Sequence, residues 1–191
     1  EERGLVERAD RAVLESFPRL RDQPSRPFAA SSSAAAGAGA GAGGGGGDGA
    51  QAAMTPFRLY RLMVPPTQLG TRSIAFAGML TNITTAITAS TQALWISAFF
   101  DGELDRLAAG EEEARWEAVK AACWGRWRYP CGYGGRVPDF VFDAVPYMDM
   151  LLKDLGLRNR RKGGWREVLE PYGVEDYRGL VGEWKGKRKS S

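Results

Sequence analysis

Residues 29–53 contain only Ala, Ser and Gly apart from Asp48 and Gln51. No large apolar side chain in this stretch can offset the entropy of ordering it, so it predicts a disordered linker. The chain is thereby divided into a short N-terminal segment (1–28), the linker (29–53), a main region (54–184) and a basic tail (185–191). Gly39, Gly41 and Gly44 formally satisfy a Gly-x-Gly-x-x-Gly pattern. A phosphate cradle needs a strand before that pattern and a helix after it. Neither flanks it here, and the alternating Gly and Ala read as a flexible connection.

Charge and chemistry-bearing residues narrow the function classes. The net charge of +3 is smaller than the charge of the tail Lys185-Gly186-Lys187-Arg188-Lys189 alone. The body is close to neutral and shows no basic stripe of the kind that reads nucleic acid, so no nucleic-acid partner is expected. Histidine is absent, which removes any His-dependent triad or acid–base scheme within this chain. Cys123 and Cys131 alone cannot close a tetrahedral zinc site, and no metal site is expected. They read as two reduced thiols, one on a helix and one in a loop, which agrees with a cytoplasmic setting. No run reaches the roughly 20 apolar residues that a membrane span needs. The opening Glu1-Glu2-Arg3, without Met, suggests a piece of a longer product.

In the N-terminal segment, Val6, Ala9, Val13 and Phe17 recur at helical spacing, stopped by Pro18. An extended strand over Ala9–Leu14 is the alternative. Phe57 to Val64 reads as an extended segment ended by Pro65-Pro66. Ile74–Leu80 reads as a short buried strand with polar flanks. Thr84 or Thr85 then caps a helix whose side Ile87, Leu94, Trp95, Ala98 and Phe99 is apolar, closed by Asp101-Gly102. Glu111-Glu112-Glu113 opens a second helix with the stripe Trp116, Val119, Lys120, Cys123, Trp127. A third runs through Met148, Leu151, Leu152 and Leu155 to Gly156. A last short helix is expected over Val174, Tyr177, Val181 and Trp184. The fold class expected is α/β and helix-rich.

Several clusters invite a functional reading. Gly78, Thr81, Asn82, Thr84 and Thr85 lie between the expected strand and helix. There an α/β fold offers unpaired backbone N–H groups to a ligand. The same residue types also serve as plain N-caps and turn formers. Gln92 and Trp95 read as a buried, satisfied amide and a core aromatic. Trp124-Gly125-Arg126-Trp127-Arg128-Tyr129 mixes cations and rings; it reads as a helix end, with Trp inward and Arg in solvent. Asp139, Asp143 and Asp149 are too loosely patterned for an acid–base pair, and no catalytic residue is assigned.

Leu59-Tyr60-Arg61 with Pro65-Pro66, the strand ending at Gly78 and the helical Gln92-Ala93-Leu94-Trp95 resemble the C-terminal part of the flavin-containing monooxygenases. So do Tyr147-Met148-Asp149 with Leu155-Gly156, and the closing set Pro171, Tyr177-Arg178, Leu180-Val181-Gly182 and Trp184. The likeness covers about residues 55–184. It implies an incomplete C-terminal portion of an FAD/NAD(P)-binding fold, with FAD and NADPH as cofactors and a small substrate offering nitrogen, sulfur or a carbonyl for oxygenation. It also implies that Gly78, Thr81, Asn82, Thr84 and Thr85 face the flavin.

The family's turn usually reads Gln-Pro-Leu-Gly where this chain has Thr81-Asn82-Ile83-Thr84. Its two dinucleotide fingerprints and its Phe-x-Gly-x-x-x-His segment are absent. The missing N-terminal dinucleotide-binding region is therefore the implied partner, and the isolated chain is expected to retain neither cofactor and to be inactive. The alternative is a non-catalytic helical interaction module without a cofactor.

Overall fold

The computed structural model describes residues 2–22, 58–129 and 140–190. Six α-helices are present among them: α1 (Glu2–Ser16), α2 (Thr85–Asp101), α3 (Glu111–Arg128), α4 (Ala144–Asp154), the single turn α5 (Arg166–Leu169) and α6 (Leu180–Ser190). The low-complexity segment 29–53, Cys131 and Asp139 lie outside the described residues.

The α/β expectation is corrected to a helical architecture. No strand occurs among the described residues; the one β-type contact is an isolated antiparallel bridge between Tyr60 and Val64. Ile74–Leu80, expected as a buried strand, is irregular, and its Ile74 and Phe76 are each 41% exposed. Among the described residues it has no strand edge to pair with. A strand is held by its ladder, and the hydrogen bond linking this segment to a neighbouring backbone is Phe76 N–H to the Met63 carbonyl (2.8 Å).

The extended reading of Phe57–Val64 also fails beyond Leu59. Arg61 and Leu62 take left-handed backbone angles (φ 52° and 59°), which fold the chain back so that Tyr60 N–H reaches the Val64 carbonyl (2.7 Å). Each such non-glycine residue costs on the order of 1–2 kcal/mol. The return is the direction of Arg61, which the turn aims into the interior.

The main core forms where this turn meets α2, α4 and α6. Tyr60, Met63, Val64, Trp95, Phe99, Met148, Leu151, Leu152 and Leu155 are at most 1% exposed. Burying each side chain of this size contributes roughly 1.5–3 kcal/mol. Trp95 and Phe99, one helical turn apart on α2, stack with centroids 5.3 Å apart. Gly102 and Gly156 end α2 and α4 with left-handed φ of 75° and 67°, the conformation glycine adopts without a Cβ penalty. Lys187 of α6 donates to the Leu155 carbonyl at the end of α4 (3.1 Å), so part of the basic tail continues a helix and neutralises another helix's C-terminus.

A second apolar cluster joins α1 to α3 through Val6, Ala9, Val13, Val119 and Cys123. The 3–4-residue spacing of the buried positions settles α1 as a helix and overturns the strand reading of Ala9–Leu14. Arg126, expected in solvent, instead pairs with Asp10 of α1, and Trp127 Nε1 donates to the same carboxylate (2.8 Å). The closing residues divide between a 3₁₀ turn (Val174–Tyr177) and α6; Tyr177 and Trp184 are buried there, while Val174 and Val181 face solvent.

Candidate functional site

Of the residues singled out between Ile74 and α2, Thr81, Asn82 and Thr84 lead into the N-terminus of that helix and Thr85 begins it, while Gly78 meets the helix two turns further along, at Gln92. Thr84 occupies the N-cap position but makes no side-chain cap. Its hydroxyl lies 3.4 Å from the Thr88 hydroxyl, and Thr85 Oγ1 donates back to the Asn82 carbonyl (3.0 Å). No side chain of this turn therefore takes over the first-turn N–H groups of α2, which have no partner within a helix. Asn82 is buried; its Nδ2 donates to Thr88 Oγ1 (2.7 Å), and its Oδ1 is buried without a hydrogen-bond partner. Thr81 is exposed at its side chain, while its carbonyl accepts from Phe140 N–H (2.8 Å).

Gly78 has φ +75°, is exposed, and has nothing within 4 Å of where a Cβ would stand. Its N–H donates to Gln92 Oε1 (2.9 Å). Gln92 Nε2 donates to Tyr147 Oη (2.8 Å), and Tyr147 in turn donates to the Arg61 carbonyl (2.9 Å). Gln92 is thus the satisfied buried amide that its place in an apolar stripe implies, and it connects the glycine turn to α4 and to the Tyr60–Val64 turn. Burial pushes the Tyr147 phenol above its ordinary range, so it stays a neutral donor.

The far end of this connection is a buried charge cluster. Arg61 Nε and Nη2 donate to Asp154 (2.7 and 3.2 Å), Nη1 donates to Glu117 (2.5 Å), and Trp95 Nε1 donates to Asp154 (3.0 Å). Burial alone would lower the Arg61 guanidinium, but Asp154 and Glu117 hold it above its ordinary value. Burial pushes the Asp154 carboxyl up, with Arg61 pulling against it. Four elements meet here: the 60–64 turn, α2, α3 and α4.

Asn82, Thr84 and Thr85 share contacts at the start of α2, while Gly78 bonds to Gln92 further along it and Thr81 to Phe140. Asp154, Glu117 and the side-chain role of Arg61 escaped the sequence reading. A signal for Asp154 exists: Tyr147, Leu151 and Asp154 fall at i, i+4 and i+7, so the carboxylate shares a face with core residues. Of the loose carboxylates, Asp143 accepts from Tyr129 Oη (2.8 Å), and Asp149 retains a buried, unpartnered Oδ1. No group of His, Cys, Asp and Glu able to hold a metal occurs among the described residues.

The same chain can now be placed among known proteins: it is homologous to a portion of the FAD-dependent monooxygenases. It is 31% identical over 190 residues to an FAD-dependent monooxygenase of Aspergillus nomiae, covering 97% of this chain and 28% of that protein. It is 36% identical over 135 residues to one of Aspergillus sclerotiorum, with 69% of this chain and 23% of the relative covered. It is 36% identical over 146 residues to one of Aspergillus versicolor, with 70% and 19% covered. The chain thus spans less than a third of the length of these curated relatives. No protein-family model matches it, and no solved structure matches it.

The chemistry of the α2 turn fits part of a flavin. Asn82 Oδ1 is an acceptor in want of a donor, and the first-turn N–H groups of α2 are donors in want of acceptors. An imide flanked by carbonyls offers that complement. No Gly-x-Gly-x-x-Gly sequence falls among the described residues, so they supply no such cradle for the cofactor's pyrophosphate.

Proposed function

We propose that this chain is a flavin-side segment of an FAD- and NADPH-dependent monooxygenase, contributing the wall formed by Gly78, Thr81, Asn82, Thr84 and Thr85. The observation that carries this reading is the buried, unpartnered Asn82 Oδ1 beside the uncapped start of α2. Homology to FAD-dependent monooxygenases supports it independently. Bound FAD, reduced by NADPH, would supply activation of dioxygen for oxygenating a nucleophilic nitrogen or sulfur, or a carbonyl.

The role of this chain is binding and orientation. Asn82 is held by Thr88, so its free oxygen is fixed before a ligand arrives. Gly78, without a side chain, leaves its surface open to a flat ring. Gln92 fixes the Gly78 amide and ties it to the core through Tyr147. The described residues supply no pyrophosphate cradle, and the chain alone is expected to turn over no NADPH.

The test uses the full-length Aspergillus nomiae relative. Alanine at the positions aligned with Asn82 and Thr85 is expected to weaken flavin retention or to uncouple NADPH consumption from product. Valine at the position aligned with Gly78 is expected to do so more severely, by steric block. Full flavin occupancy and coupled turnover in all three variants would reduce this turn to an ordinary helix start.

A further inference from the structure

Tyr147 also borders an open cleft of about 770 Å³ among α1, α3 and α4. That volume falls within the range of small-molecule sites, about 300–1,000 Å³. Its walls are Val13 of α1 and Phe17 just beyond it, Trp116 and Trp124 of α3, and Pro146 and Met150 of α4. Phe17 and Trp124 are already set against each other, with centroids 4.7 Å apart and planes at 60°. Phe140 and Tyr147 add a further tilted pair, 5.4 Å apart.

The charged groups lining the cleft are engaged, apart from an exposed Lys120. Arg61 is shared between two carboxylates, Asp154 and Glu117. Asp143 is met by Tyr129 Oη and by Arg128. Glu113 accepts from the Ala109 N–H (2.6 Å). Apart from Lys120 at the exposed rim, an ionic ligand would have to compete with these partners, whereas an apolar ring would find rings, a thioether and aliphatic carbons.

We propose that this cleft binds a neutral, flat, apolar organic molecule, and that such molecules are the substrate class of the intact enzyme. That the ligand is a substrate rests on the flavin reading; that the cleft binds it does not. Tyr147 supplies the connection, since it lines the cleft and also holds Gln92, which holds the Gly78 amide. The cleft and the proposed flavin wall are therefore linked by one run of hydrogen bonds.

The experiment is a fluorescence titration of the purified chain with N-phenyl-1-naphthylamine, a neutral aromatic probe, without flavin. Saturable binding with quenching of tryptophan emission is expected. Ala121→Trp, which fills the cleft from α3, should weaken binding at least tenfold while far-ultraviolet circular dichroism stays unchanged. Ala12→Leu gives the same reading from α1 should the first variant fail to fold. Trp165→Ala serves as the control, because Trp165, Val168 and Leu169 form a separate exposed apolar patch, 75–82% exposed; it should leave affinity within twofold. In the unsubstituted chain, the probe should slow hydrogen exchange at residues 13–17 and 121–124. Absence of saturable binding, protection confined to residues 165–169, or undiminished affinity in a folded cleft-filled variant would overturn the proposal. Flavin retention in the full-length relative is read separately, so the two readings fail independently.

Discussion

Arg61 and Asp154 lie 93 residues apart in the chain and meet in the core, Nε to Oδ2 at 2.7 Å, with Asp154 only 2% exposed at its side chain. The contact depends on the two left-handed residues of the 60–64 turn and on the inward face of α4. Removing Arg61 leaves the Asp154 carboxylate buried without its counter-charge, which costs about 3–5 kcal/mol, whereas removing Asp154 leaves Arg61 its second partner, Glu117. Arg61→Met is therefore expected to lower urea-unfolding stability by that amount. The double variant Arg61→Met with Asp154→Leu should lose less than Arg61→Met alone, because the carboxylate it leaves, Glu117, is 33% exposed at its side chain. A loss under about 1 kcal/mol for Arg61→Met would show that water reaches the pair and screens it.

Tyr147 carries the connection from Gln92 to the Arg61 carbonyl through one hydroxyl. Tyr147→Phe keeps the ring and strips both bonds, leaving Gln92 Nε2 and a backbone carbonyl unpaired. The expected cost is about 2 kcal/mol, read from the denaturation midpoint at constant slope. Hydrogen exchange of the Gly78 amide should also quicken, because Gln92 loses the bond that orients it. Unchanged exchange there would break the link between the core and the flavin wall.

Cys123 is buried between α1 and α3, and burial pushes its thiol from 9.0 up to about 12. Between those values the folded chain holds a proton that the unfolded chain has released. The stability contributed by this group is fully present below pH 9 and is lost as pH rises towards 12. In a Cys131→Ser background, Cys123 should resist a thiol reagent at pH 8 under native conditions and react at once in denaturant. Fast native labelling would mean that α1 lifts from α3.

The helices were legible because their stripes are long and clean: Trp95, Ala98 and Phe99 on α2, and Met148, Leu151, Leu152 and Leu155 on α4, sit where period 3.6 puts them. Gly102 and Gly156 marked two helix ends for a local reason, the left-handed cap. Ile74–Leu80 misled because four apolar residues in a row specify burial only when an edge exists to pair with. The turn at Arg61 and Leu62 was illegible because neither residue favours positive φ; a distant partner, Asp154, selects that conformation. Asn82 and Thr85 were visible as turn chemistry, but the orphaned Asn82 oxygen follows from where Thr88 sits, which composition does not reveal.

The central claim is that the turn from Gly78 to the start of α2 faces flavin. Its most direct test is residue-resolved hydrogen exchange on the full-length Aspergillus nomiae relative, with FAD removed and restored. FAD is expected to slow exchange at the amides aligned with Gly78 and with Thr85–Ile87, whose N–H groups would gain acceptors or be shut from water. Identical exchange at those amides in the flavin-free and flavin-loaded enzyme would contradict the claim.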